Sequence, residues 1–285
     1  MNKIFFLYFR LIIIFSICWL QNAWGIIPIF IFYFTLNNLL VFSLDELLKI
    51  SSQNSSTGRI RGLYLTIINS AWIIAQIFST KILAHLPFSY LYLISFGIMT
   101  LFFLIALIGL KNSPDPKYDK IPAFQSLQKF FKNKNLLRAY TINFLLQIFY
   151  VCMVIYTPVY LHTHIGFSWA EISVIFTIML IPFVLLQFPL GKYSDKTGER
   201  GLLIFGFTLM SLATMSLFFI TKHAIWIWAL ALFLTRVGAA IIEIMSDVYF
   251  FRHIKAENDE LIGIYRNTAP VAYIVAPISF LFIRH

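Results

Sequence analysis

Residues 224–248 form an apolar stretch that nevertheless carries three charges, Arg236, Glu243 and Asp247. Charges at membrane depth are costly, and they mark either a route for polar cargo or a paired structural lock. At about 100° per residue, steps of seven and eleven leave the three within roughly 40° of one another on a helix. Arg236 and Glu243 then stand about 10 Å apart along the axis, too far for contact without a bend or an intervening group. Two readings stay open. Either Arg236 and Glu243 face a cavity, for substrate or proton coupling, or each is neutralised by a neighbouring helix.

Uncharged polar groups recur at helical spacing on three more apolar stretches. Asn143, Gln147, Tyr150 and Thr157 share a face of 139–161. Thr66, Asn69, Gln76 and Thr80 share one of 63–83, with Trp72 alongside, and Thr35, Asn38 and Asp45 line 28–44 and its edge. Such stripes do not face lipid, where donors go unsatisfied, so they face other helices or water. Interhelical hydrogen bonding explains a single Asn or Gln, whereas several stripes together favour a hydrated cavity.

The elements that hold these residues follow from composition. Of 285 residues, 60% are hydrophobic and only 12% charged, more apolar mass than a water-soluble domain can bury. Nine apolar runs are each long enough to cross a ~30 Å hydrocarbon layer: 4–20, 28–44, 63–83, 88–110, 139–161, 172–190, 202–220, 224–248 and 261–283. The reading is all-α, a polytopic membrane helical bundle. The net charge of +10 does not indicate a nucleic-acid partner, because sixteen bases fall in one set of alternate loops and three in the other. That asymmetry sets the N-terminus in the cytoplasm and residue 285 outside. A cell membrane is the expected location.

Arg10 and the lack of a small-residue cleavage site make 4–20 a retained span and not a signal peptide. Cys18 and Cys152 have no Cys or His at ligand spacing, and His162 and His164 sit alone in a loop, so no metal site and no cofactor is expected. No Walker loop, HExxH or GxSxG is present, which leaves an intramembrane enzyme without a constellation to defend it. Ser168 with Glu171 reads as a capping box opening 172–190. Arg266 is placed to snorkel to the surface, and Pro270 with Pro277 to bend the last span. The basic connection 111–138 separates 1–110, about four spans, from 139–285, about five. Within it Phe124, Leu127 and Phe131 recur beside Lys129 and Lys132, the pattern of either a tether or a helix lying on anionic headgroups.

Between 172–190 and 202–220 lies the short charged turn Gly191-Lys-Tyr-Ser-Asp195-Lys-Thr-Gly198-Glu-Arg200-Gly201. It forces antiparallel neighbours and holds Asp195 at the surface, within reach of a helix N-terminus that attracts a carboxylate. This turn resembles the cytoplasmic loop signature of the major facilitator superfamily, G-x-x-x-D-x-x-G-x-[RK], with Gly191, Asp195, Gly198 and Arg200 in the matching places. Glu199 stands where that family usually has a base.

A repeat at an offset of 201 accompanies it. Gly62-Leu-Tyr64 and Ala71-Trp-Ile-Ile-Ala75 match Gly263-Ile-Tyr265 and Ala272-Tyr-Ile-Val-Ala276, and one residue of slippage brings Asp45 onto Asp247. The resemblance implies two six-helix halves. On that alignment the chain is expected to start just past its own first loop copy, lacking the family's first two spans and its last.

The resemblance also implies a helix of 224–248 lining a central cavity, and secondary transport of a small solute by alternating access, with a proton or ion as a possible coupling partner. Pathway candidates are Arg236, Glu243, Asn143, Gln147, Tyr150, Asn38, Asn69, Trp72 and Gln76. Gate candidates are Gly191, Asp195, Gly198, Arg200, Asp247 and Asp45, with Asp247 expected to pair with Arg200. The competing expectation is a transport-inactive fragment or a membrane interaction protein.

Overall fold

The computed structural model describes residues 23–51, 56–83, 85–109, 123–254 and 260–283. Run 4–20, Arg10, Cys18 and residues 110–122 lie outside them. Among the described residues the chain is helical, without strands. Its helices are α1 (Ala23–Ser51), α2 (Thr57–Leu83), α3 (Phe88–Gly109), α4 (Ala123–Lys132), α5 (Lys134–Ile165), α6 (Trp169–Thr197), α7 (Arg200–Leu217), α8 (Ile225–His253), α9 (Glu260–Arg266) and α10 (Thr268–Ile283). Seven of them, α1–α3 and α5–α8, are long and apolar enough to cross a membrane.

Two differences from the expected spans have plain causes. The final run, 261–283, is broken at Asn267 into α9 and α10. Pro270 has no N–H to offer the Arg266 carbonyl, and its ring crowds that turn. The signature loop is shorter than its charges suggest. α6 continues through Gly191 and Asp195 to Thr197, and only Gly198 and Glu199 separate it from α7. Hydropathy marks the membrane edge, whereas the helix ends where Gly198 takes φ +79°, a conformation that glycine adopts without strain.

α5 runs from an Asn133 cap, whose side chain accepts the N–H groups of Asn135 and Leu136. It contains two wide π turns, Cys152–Tyr156 and Leu161–Ile165. The first precedes Pro158, which cannot bond the carbonyl of Val154, so the helix relaxes its register there. The capping box opens α6 as expected: Ser168 Oγ accepts from Glu171 N–H, while Glu171 accepts from Ser168 N–H.

The chain forms two compact units. One holds α1, the part of α2 from Ile74 on, and α3. Its core packs Leu36 with Tyr33 and Tyr92, and Leu40 with Ala106 and Phe103. The other holds α2 up to Ile73 and α4 through α10. Its centre is α8, the most enclosed of the spans. α8 packs chiefly on α7 and α6, then on α5. Gly238 allows the α7 contact, since a Cβ there would stand 2.7 Å from the Gly206 carbonyl oxygen. Trp228, Leu232, Met153, Leu161 and Phe167 close one end of this unit. α4 buries Phe130, leaves Phe124, Leu127 and Phe131 exposed, and joins α9 through Lys129 and Glu260 at 3.5 Å.

Candidate functional site

Within the larger unit, α2 and α6 touch backbone to backbone. Gly58 and Gly62 are one turn apart on α2, as Gln187 and Gly191 are on α6. A Cβ on Gly62 would meet the Gln187 carbonyl oxygen at 2.6 Å, and one on Gly58 or Gly191 would collide with the other's carbonyl oxygen. Small residues at this spacing let helices approach until side chains normally outside contact range can meet.

The close approach brings Asp195 against the start of α2. Its Oδ1 accepts the Gly58 N–H and its Oδ2 the Arg59 N–H, each at 2.8 Å. A carboxylate so placed satisfies two orphan donors and sits on the positive end of the helix dipole. The expected helix N-terminus is therefore that of α2. Arg252, at the end of α8, donates to the same Oδ1 at 2.6 Å, to the Ser194 carbonyl at 3.3 Å, and to Glu199. Glu199, the acid standing in a position usually basic, is thus the second carboxylate of the arginine clamp. Arg200 is exposed.

Asp247 takes a different partner from the one expected. Its carboxylate meets Arg266 at 3.0 Å and Arg61 at 3.7 Å. Arg266 sits in the last turn of α9 and does not snorkel away, because Asp247 lies within reach. Arg61 is almost wholly buried and lies flat on Phe251, 3.2 Å from the ring centroid. Two guanidinium groups on one enclosed carboxylate lower the cost of burying all three.

Deeper along α8, Glu243 accepts from Gln187 Nε2 at 2.6 Å, and Gln187 Oε1 accepts from Asn69 Nδ2 at 2.9 Å. This chain of side chains runs from α8 across α6 to α2. Gln187, fully enclosed, is its hinge. Arg236 lies farther up the helix, its guanidinium 5.3 Å from the Tyr150 ring centroid and 5.6 Å from that of Phe149. Tyr150 stands within electrostatic reach of both Arg236 and Glu243, the intervening group that their separation calls for.

The stripes divide. Asn143 donates to Thr268 Oγ1 at 2.8 Å and accepts from Gln147 at 3.4 Å, so this end of the α5 face ties α5 to α10. Thr157 donates to Met153 Sδ within α5. Asn69 joins the Glu243 chain, while Trp72 on the same helix is 72% exposed. The side chains of Gln76 and Thr80 lie outside the described set. In the other unit Asn38 is exposed, and Asp45 is buried with Glu46 and Lys49 on one face of α1.

Arg61, Arg252, Gln187, Gly58 and Glu199 are absent from the sequence-based site. A lone glutamine inside an apolar run and a Gly-x-x-x-Gly step were the available signals for Gln187 and Gly58. Arg61 and Arg252 carried none, since a loop charge count treats every base alike.

A family model described as Major Facilitator Superfamily matches residues 3–277. Comparison with curated proteins gave no match.

Proposed function

The chain belongs to the Major Facilitator Superfamily, a family of multi-pass membrane transporters of small solutes, and we propose that it works as a secondary transporter by alternating access. In this reading the α2–α6 contact is a latch that shuts the signature-loop side. Asp195 is its pin: one carboxylate holds the N-terminus of α2 and Arg252 of α8 together. That shared carboxylate is the observation that carries the proposal. Arg61–Asp247–Arg266 forms a second lock. Opening the latch exchanges these contacts for water, and two halves rocking about a midplane site would expose the cargo alternately to each face.

Glu243 is the proposed coupling carboxyl. Its hydrogen bond to Gln187 continues to Asn69 on α2, so a proton on Glu243 weakens a charge-assisted bond within the latch itself. The strong loop bias of Lys and Arg supports a cell-membrane orientation with the signature loop in the cytoplasm. The test is reconstitution of the full chain into vesicles, with uptake measured for a panel of charged and neutral solutes under a proton or solute gradient. Uptake above that of empty vesicles, abolished by Gly62→Leu, is the expected result. A correctly inserted chain that moves none of the panel and shows one-sided accessibility would sink the proposal.

A further inference from the structure

Arg236 is a buried cation without an acidic partner. Only 3% of the residue is exposed, its Nε is enclosed with no hydrogen-bond acceptor, and it forms no ion pair among the described residues. Glu243, the acid that contributes to its electrostatic surroundings, makes its hydrogen bond to Gln187. The Tyr150 hydroxyl, beside Arg236, is likewise enclosed, and its neighbouring acceptor is the Glu243 carboxylate. One permanently charged donor is therefore short of an acceptor, with a phenol beside it. Ring contacts at 5.3 and 5.6 Å recover only part of what is lost when a guanidinium leaves water. The other enclosed arginine described in this unit, Arg61, has a carboxylate.

We infer that Arg236 and Tyr150 form the head-group subsite for an organic monocarboxylate, an inference that rests on the transport reading above and names its cargo class. The planar guanidinium presents paired N–H groups that match the two oxygens of a carboxylate, and the phenol adds a third donor. One cation balances a monoanion, whereas a phosphate dianion needs more positive charge than this place holds. The neighbouring surfaces are the rings of Phe149, Tyr150 and Phe183, the last set edge-on to Tyr150 at 6.1 Å. They suit an apolar body behind the head group. Asn143 and Gln147, farther along α5, are occupied with each other and with Thr268 and do not compete for the anion.

The test measures binding without vesicles, on the purified full chain in lipid nanodiscs, by the unfolding temperature with benzoate, hexanoate, their matched amides, or inorganic phosphate. Benzoate or hexanoate should stabilise the wild type where the amides and phosphate do not. Arg236→Gln should need about 10- to 100-fold more carboxylate for the same shift, the worth of a charge-assisted hydrogen-bond pair. Tyr150→Phe, which keeps the charge and the ring, should need about 3- to 10-fold more, and it serves if Arg236→Gln does not fold.

Carboxylates that act no better than their amides overturn the inference, as does phosphate matching them. So does carboxylate stabilisation unchanged in Tyr150→Phe and in whichever Arg236 variant folds, Gln or Lys. Those results leave uptake of neutral or cationic solutes, and hence the transport reading, standing. Conversely, carboxylate binding that depends on Arg236 in a chain that transports nothing would uphold this subsite while removing the transport reading.

Discussion

Replacing Asp195 by Asn keeps the side-chain shape and removes the charge, which isolates the latch electrostatics. Its carboxylate serves three donors: the N–H groups of Gly58 and Arg59 and the guanidinium of Arg252. The amide offers one oxygen, so its NH2 must face a donor. Losing the helix cap costs about 1 kcal/mol. Losing a charge-assisted bond to Arg252, in a site only partly shielded, costs about 1–2 kcal/mol more. The sum, about 2–3 kcal/mol, corresponds to about a 30- to 150-fold shift from the closed toward the open latch. The reporter is a cysteine at Thr66, whose hydroxyl is enclosed one turn beyond Gly62, in a chain with Cys18 and Cys152 changed to alanine. A membrane-impermeant maleimide applied from the signature-loop side should label it faster in the Asp195→Asn background by that factor. Equal labelling, within about twofold, would mean that Asp195 does not hold α2 against α6, and the latch argument would fall.

Other outcomes follow from the same geometry. Arg200→Gln should leave labelling and stability unchanged within about 0.5 kcal/mol, because the side chain is exposed, whereas Arg252→Gln should reproduce much of the Asp195→Asn effect. Asp247→Asn leaves Arg61 and Arg266 facing each other without their shared carboxylate and should lower unfolding stability by about 3–5 kcal/mol, read by thermal or denaturant unfolding in lipid. Gly191→Val places a branched side chain against the Gly58 carbonyl and should hold the latch ajar, seen as Thr66→Cys labelling that no longer responds to Asp195→Asn. Gln187→Leu removes the middle of the Glu243–Asn69 chain and takes from the carboxyl its bond toward α2. Any proton-driven uptake should then become independent of the pH gradient while solute exchange persists.

The contrast between Asp195 and the arginines explains how far the sequence could be read. Asp195 was legible because its setting is local. A carboxylate in a glycine-bracketed corner at the membrane surface has few donors to choose from, and a helix N-terminus is the commonest. Seven of the nine expected spans, from 28–44 to 224–248, were legible for a similar reason, since the length of a membrane span follows from hydrocarbon thickness alone. Helix ends were less so. α6 runs seven residues past its apolar run because lysine, tyrosine and serine are tolerated in a helix as well as at a membrane edge.

Which base meets which acid was not legible at all. Arg61, Arg252 and Arg266 look alike to a topology count, and their partners depend on how closely α2, α6, α8 and α9 approach. That approach is set by residues without charge. Gly58, Gly62 and Gly191 fix the α2–α6 distance, and that distance lets one carboxylate and one glutamine of α6 each bridge α2 and α8. The charges are thus consequences of the packing and also its release points: each can be protonated, neutralised or exchanged for water, while the glycines cannot. On the proposed reading, a latch built this way opens by changing a side chain's charge, not by distorting a helix. With the enclosed Glu243 on the same hydrogen-bonded chain as the glycine contact, the proposed coupling has a single proton act on the whole seam.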